Sequence, residues 1–269
     1  MKPISISEEM MFNTVKLTTS KGCGTGFFFT FNIDDNLYPV IITNKHVVNN
    51  KTQETVTFAL HLKNDDDSST ENVNVEYNTN WYFHSKYDLC FCFINPIFEL
   101  VKQQTGKEVF YRTNLEEIIP SQNKLDELSQ LEEVVMIGYP IGLTDNKNNF
   151  PIFRKGFTAT HPAIDFDGKK TGLVDMACFP GSSGSPIFIL NEHGYADKQG
   201  NIYLDGKRLF LLGIQFSVPV YNAEGNIQII TAKPIMHVST QQMTNLGFYI
   251  KASELLEFKE MIEQIVQKQ

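Results

Sequence analysis

Phe179-Pro180-Gly181-Ser182-Ser183-Gly184-Ser185-Pro186-Ile187-Phe188 sets a serine hydroxyl among small residues inside an otherwise apolar run. The glycine two positions before Ser183 and the one directly after it permit a sharp backbone turn that larger residues resist. Such a turn can aim successive backbone N–H groups into one small hollow. Donors held around a developing oxyanion are commonly the largest single term in acyl-transfer catalysis. By composition alone, Gly-Ser-Ser-Gly-Ser is equally an ordinary loop, so the rest of the chain has to decide.

The 269 residues suit a single unit made of two halves or one large β fold. A net charge of −8, with Lys and Arg scattered, excludes the electrostatic footprint of a nucleic-acid binder. No stretch approaches the apolar length of a membrane span, and Met1 to Glu9 lacks the apolar core of a signal peptide. A soluble cytoplasmic protein that binds neither nucleic acid nor membrane is expected. Cys23, Cys90, Cys92 and Cys178 are too few and too unevenly placed for a disulfide framework, which fits free thiols in a reducing compartment. Cys90-x-Cys92 has no histidine at ligand spacing, so neither metal nor cofactor is expected. Asp65-Asp66-Asp67 lacks the spacing of a calcium loop, and Lys63 to Asn72 reads as solvated.

From Thr14 to Leu62, short runs rich in β-branched and aromatic residues alternate with turn clusters, which predicts a succession of strands. His46 falls at the end of the apolar run Val40-Ile41-Ile42-Thr43, a place where a lone histidine is usually structural. Asp88 opens Leu89-Cys90-Phe91-Cys92-Phe93-Ile94, apolar at every position and so a strand buried on both faces. An unpaired carboxylate at that mouth costs several kcal/mol, and a histidine N–H would serve as its partner. Between Asn95 and Leu131 the pattern turns helical and loop-like. Strands resume at Glu133 to Ile137, Phe153 to His161, Leu173 to Ala177, Leu209 to Phe216 and Gly247 to Ile250. The turn signals around Ile202-Tyr203-Leu204 predict an added hairpin. Ala252 to Gln269 carries apolar residues at helical spacing, with Ser253 as the expected N-cap.

His46, Asp88 and Ser183, in that order and each at a strand end or turn, resemble the trypsin/chymotrypsin superfamily of serine proteases. Thr25-Gly26-Phe27-Phe28 with Ile42-Thr43-Asn44-Lys45-His46-Val47-Val48 is similar to that superfamily's histidine region, and Tyr87-Asp88-Leu89 to its aspartate region. Ile137-Gly138-Tyr139-Pro140-Ile141-Gly142 and Asp175 to Gly184 resemble most the disulfide-free bacterial HtrA/Deg proteases and short trypsin-like peptidase domains. The resemblance covers nearly the whole chain.

It implies an all-β fold of two six-stranded antiparallel barrels packed side by side, with a C-terminal helix. Residues 1–110 would form the half carrying His46 and Asp88, and 111–132 the connection. Residues 133–250 would form the half carrying Ser183, and 251–269 the helix, leaving no room for a PDZ domain. It also implies a triad of Ser183 nucleophile, His46 base and acid, and Asp88 orienter, with the N–H groups of Gly181 and Ser183 as oxyanion hole. The substrate would be a protein or peptide.

Departures from the secreted relatives matter too. Ser182 stands where they carry an aspartate, and no Ile-Val-Gly-Gly-like segment begins the chain, so activation by N-terminal cleavage is not expected. The specificity-pocket positions Ala177, Gln215 and Gly247 offer no carboxylate for Arg or Lys. Two other readings share the fold: a latent protease awaiting an activating partner or ligand, and a degenerate binding or regulatory module. An α/β-hydrolase would need a strand-to-helix elbow around its serine and a triad ending in histidine.

Overall fold

Residues Phe27 to Phe31 show how the sequence builds two cores at once. Side chains alternate across a strand. Phe27, Phe29 and Phe31 enter one apolar cluster, while Phe28 enters another on the opposite face. The same holds for Val40 and Ile42 against Ile41, and for Leu89 and Phe91 against Cys90 and Cys92. These runs are therefore almost wholly apolar because both of their faces are covered. The computed structural model describes residues 1–143, 145, 147–227 and 236–267, and the side chains of these outside 220–243.

The N-terminal body contains β1 (Thr14–Thr19), β2 (Gly22–Ile33), β3 (Asn36–Thr43), β4 (Gln53–Lys63), β5 (Ser69–Asn80), β6 (Tyr82–Phe83), β7 (Cys90–Phe93) and β8 (Val109–Phe110). They run in the order β5-β4-β1-β2-β3-β7-β6, with β8 on β4. Six strands make up the body and two, β6 and β8, are two-residue additions. The C-terminal body is a closed antiparallel barrel. Its strands are β9 (Glu133–Gly138), β10 (Ile152–Thr158), β11 (Thr171–Asp175), β12 (Pro186–Asn191), β15 (Arg208–Ser217) and β18 (Leu246–Lys251), in the order β10-β11-β18-β15-β12-β9. The predicted hairpin is present as β13 (Gly194–Ala196) and β14 (Ile202–Leu204). A second ribbon, β16 (Val220–Ile227) with β17 (Met236–Met243), was not expected, because its sequence shows little apolar alternation.

Among the described residues four α-helices accompany the strands: α1 (Ile6–Met10), α2 (Asn95–Thr105), α3 (Gln122–Asp126) and α4 (Leu256–Val266). Helices α2 and α3 fall between Asn95 and Leu131, where the sequence pattern turns helical and loop-like. Ser253 does not cap the last helix. It lies inside a 3-10 turn, Ala252–Leu255, that runs straight into α4. The solvated loop expected from Lys63 to Asn72 is shorter, because β5 already begins at Ser69. Helix α4 docks at the seam between the bodies, where Phe258 meets Phe91 edge-on at 4.9 Å. In the same cluster, Phe27, Phe29, Val40 and Ile42 of the first body meet Val135, Ile137, Phe188, Leu211 and Ile214 of the second. This shared core holds the two loop systems of the cleft in fixed relation.

Candidate active site

The histidine turn grows from the end of β3. Lys45–Val48 forms a single 3-10 turn ended by Asn49 at φ 60°, a left-handed position that asparagine tolerates. Val47 and Val48 are buried beneath it, leaving the His46 ring toward the cleft. Asp88 precedes β7 and meets His46 twice. The His46 N–H donates to Asp88 Oδ1 at 3.2 Å, and His46 Nδ1 lies 2.5 Å from Asp88 Oδ2. Asn44 fixes the other side of the pair by donating from Nδ2 to the Asp88 carbonyl at 2.7 Å. A carboxylate on Nδ1 favours the tautomer whose Nε2 is unprotonated and able to accept a proton.

Ser183 sits between β11 and β12. The segment before it makes a β-turn closed by the Ser182 N–H on the Phe179 carbonyl at 3.0 Å. Pro180 occupies the second position and Gly181, at φ 87°, the third, the signature of a type II turn. A side chain at Gly181 would also strike the Tyr139 carbonyl, 2.6 Å from an added Cβ. The Pro180 carbonyl is taken by the Ile141 N–H. Because C=O and N–H of a trans peptide point oppositely, the Gly181 N–H faces the other way. Among the described residues, neither the Gly181 N–H nor the Ser183 N–H has an acceptor. The next residue, Gly184, has φ 83°, and an added Cβ would lie 1.9 Å from the Thr25 carbonyl. His46, Gly181 and Ser183 line one cleft of about 240 Å³ together with Cys23 and Pro180. Among the described residues, the Ser183 hydroxyl has no hydrogen bond to His46.

The pocket positions fall behind this turn. Gln215 is buried; its Nε2 donates to the Ser217 carbonyl at 2.9 Å, and its Oε1 lies 3.8 Å from Cys178 Sγ. Gly247 packs against both, and a Cβ there would come within 2.5 Å of Cys178 Sγ and 2.7 Å of Gln215 Oε1. Ala177 joins them through the chain, its carbonyl accepting from Arg154. Burial pushes the Cys178 thiol up to about 11, against a smaller opposing pull from Arg154. The thiol is thus protonated at neutral pH. Among the described residues, no three His, Cys, Asp or Glu gather as a metal site, and no helix is long and apolar enough to cross a membrane.

Four supporting residues escape sequence reasoning. Thr25 ties the halves together: its N–H donates to the Ser183 carbonyl, and its hydroxyl donates to the Gly181 carbonyl and accepts from the Tyr139 N–H. Arg154 reaches under the Phe179–Ser182 turn. His84 anchors the aspartate loop, with Nδ1 accepting the N–H groups of Lys86 and Tyr87. Its Nε2 lies 3.2 Å from Glu257 of α4, which also accepts from the backbone and hydroxyl of Ser85. The one local signal was His84, four residues before Asp88 in a polar turn. The other three act across strands far apart in sequence.

A model of the trypsin-like peptidase domain matches residues 24–195, a span that includes His46, Asp88 and Ser183. No curated protein matches the chain. Among solved structures, an inactive-form serine-to-alanine mutant of Rv3671c from M. tuberculosis H37Rv shares 17% identity, covering 94% of this chain and 87% of that one at a TM-score of 0.44. A human pathogenic astrovirus serine protease shares 14%, covering 89% and 88% at 0.42. A scabies mite inactivated protease paralogue shares 12%, covering 97% of each at 0.47.

Proposed function

The chain belongs to the trypsin-like peptidase domain family, and from that premise we propose that it is an intracellular serine endopeptidase working through an acyl-enzyme. Ser183 Oγ attacks the scissile carbonyl while His46 Nε2 takes its proton, and Asp88 steadies the imidazolium that results. The N–H groups of Gly181 and Ser183 receive the oxyanion of the tetrahedral intermediate. Collapse of that intermediate breaks the C–N bond, and His46 returns the proton to the leaving amine. Water, deprotonated by the same imidazole, then releases the acyl group and restores the serine.

The observation that carries this reading is the pair of backbone donors, on Gly181 and Ser183, left without an acceptor beside the His46–Asp88 pair. Buried or half-buried N–H groups are rarely unpaired without a reason. The pocket behind them holds no carboxylate, so cleavage after uncharged, small-to-medium residues is proposed rather than after Arg or Lys. Activation by a released N-terminus has no partner to act on, since Ser182 stands beside the nucleophile. The four unpaired cysteines suit a reducing compartment.

One observation favours a second reading: the Ser183 hydroxyl is not bonded to His46 in this state, as befits a protease awaiting a partner or ligand. Catalytic hydrogen bonds are often loose before substrate arrives. Incubating wild type and Ser183→Ala with a proteome-derived peptide library decides between them. Cleavage by wild type alone, after uncharged residues, supports the endopeptidase. Cleavage by neither protein supports the latent or degenerate reading, and a strong Arg or Lys preference refutes the pocket assignment.

A further inference from the structure

Arg154 is one of three arginines in the chain and lies in β10, within the barrel that carries Ser183. Its guanidinium forks onto two points of the segment that forms the pocket wall and the oxyanion turn. Nη1 donates to the Ala177 carbonyl at 2.5 Å, and Nη2 donates to Ser182 Oγ at 2.8 Å. Ser182 is fully buried, and its Oγ also accepts the Phe179 N–H at 3.2 Å. The last residue of the turn that aims the Gly181 N–H, and the residue two before its first, are therefore tied to one rigid planar group, and Ser182 Oγ passes the tie on to the Phe179 N–H. Among the described residues no carboxylate pairs with this guanidinium, and its buried Nε has no partner. A desolvated cation without a counter-charge is costly, and its two hydrogen bonds are spent on the loop beside the nucleophile.

We propose that Arg154 is the positioning residue that keeps the oxyanion turn in its working form, held from beneath by a side chain already present in the folded barrel. This rests on the endopeptidase reading above for its catalytic consequence, but not for its structural one. The type II turn must keep the Pro180 carbonyl on the Ile141 side for the Gly181 N–H to face the cleft. Ile141 itself sits at φ 46°, an uncommon conformation for a β-branched residue, so that side of the turn is strained and needs a counterweight. The Arg154–Ser182 bond supplies it from the other side. A lysine in place of Arg154 would bring one point charge to two acceptors and hold the turn only in part.

The test uses the full chain as wild type, Arg154→Met and Arg154→Lys. Hydrogen–deuterium exchange over residues 177–184 reads the turn, and kcat against KM on a cleaved peptide reads the chemistry. Arg154→Met is expected to speed exchange in that segment at least tenfold while the other strands stay protected. Its kcat should fall on the order of 10²-fold, as for loss of one oxyanion donor, with KM within a few-fold. Arg154→Lys should lie between the two; should the methionine variant not fold, the lysine variant carries the comparison with wild type. Unchanged exchange in 177–184, or a loss of kcat that merely follows a global drop in melting temperature, overturns the proposal. A preference for acidic residues that disappears in Arg154→Met would also overturn it, since the guanidinium would then read substrate. A wild type that neither cleaves peptides nor reacts with a fluorophosphonate defeats the endopeptidase reading, while the exchange comparison still decides the role of Arg154.

Discussion

At the scale of single residues, the cleft is a set of groups whose chemistry depends on one neighbour each. Asp88 holds Nδ1 of His46 at 2.5 Å and so chooses the ring tautomer. Asp88→Asn keeps the shape but presents an amide that favours the wrong tautomer. We expect kcat to fall on the order of 10⁴-fold with little change in fold, checked by steady-state kinetics beside circular dichroism. Activity within tenfold of wild type would show that the carboxylate is not the orienter. His61 is a different case, since it does not line the cleft and lies buried between Phe12, at 4.9 Å, and Phe150, at 5.6 Å. Burial, the largest cause, pushes its pKa down from 6.5 to about 4. The unfolded chain therefore takes up a proton near 6.5, which the folded one refuses until about 4. The stability is complete above the unfolded value and is lost as pH falls toward the folded one, by about 2 kcal/mol between pH 7 and pH 5. His61→Phe should flatten that part of the pH profile in chemical denaturation, and an identical slope in both proteins would refute the assignment.

At the scale of elements, α4 and the loop before β7 act together. Glu257 of α4 receives the N–H and hydroxyl of Ser85, and Phe258 seats the helix against Phe91. The His84 ring between them is held below its usual pKa, chiefly by burial and against the pull of Glu257, so it remains an acceptor for the loop's N–H groups. Phe258→Ala should cost about 3–5 kcal/mol in denaturant unfolding, as for a fully buried aromatic truncated to alanine. Activity should fall further than the folded fraction does, because the aspartate loop loses its support. A cost under 1 kcal/mol would mean that the helix is not part of the shared core. The strands were legible because their apolar runs are local. The segments around His46, Asp88 and Ser183 were legible as strand ends and turns because turn chemistry is local too, while their joint reading as a triad came from the resemblance to a family. Arg154, Thr25 and Glu257 were not, because each acquires its meaning from a partner that only the closed barrel brings near. The β16–β17 ribbon was missed for another reason: its polar sequence carries no period.

At the scale of the whole molecule, two β bodies share one seam, and the cleft opens where their loops meet. Thr25 of the first body holds the serine loop of the second by two hydrogen bonds and the residue after β9 by a third, so the geometry of the cleft and inter-body packing are one property. Larger hollows lie elsewhere, such as one of about 650 Å³ beside Glu116, Lys170 and Lys259, whose charged groups are spent on ion pairs. The cleft is singled out by its chemistry: a serine hydroxyl, an imidazole paired with a carboxylate and unpaired N–H groups converge there. The central claim is that this convergence is a competent site in the protein as it folds. Intact-mass measurement after reaction with a small fluorophosphonate tests it most directly, using wild type, Ser183→Ala and His46→Ala. The account predicts one adduct per chain on Ser183 in wild type and none in either variant. A well-folded wild type that stays unlabelled, or labelling that survives loss of His46, would contradict it.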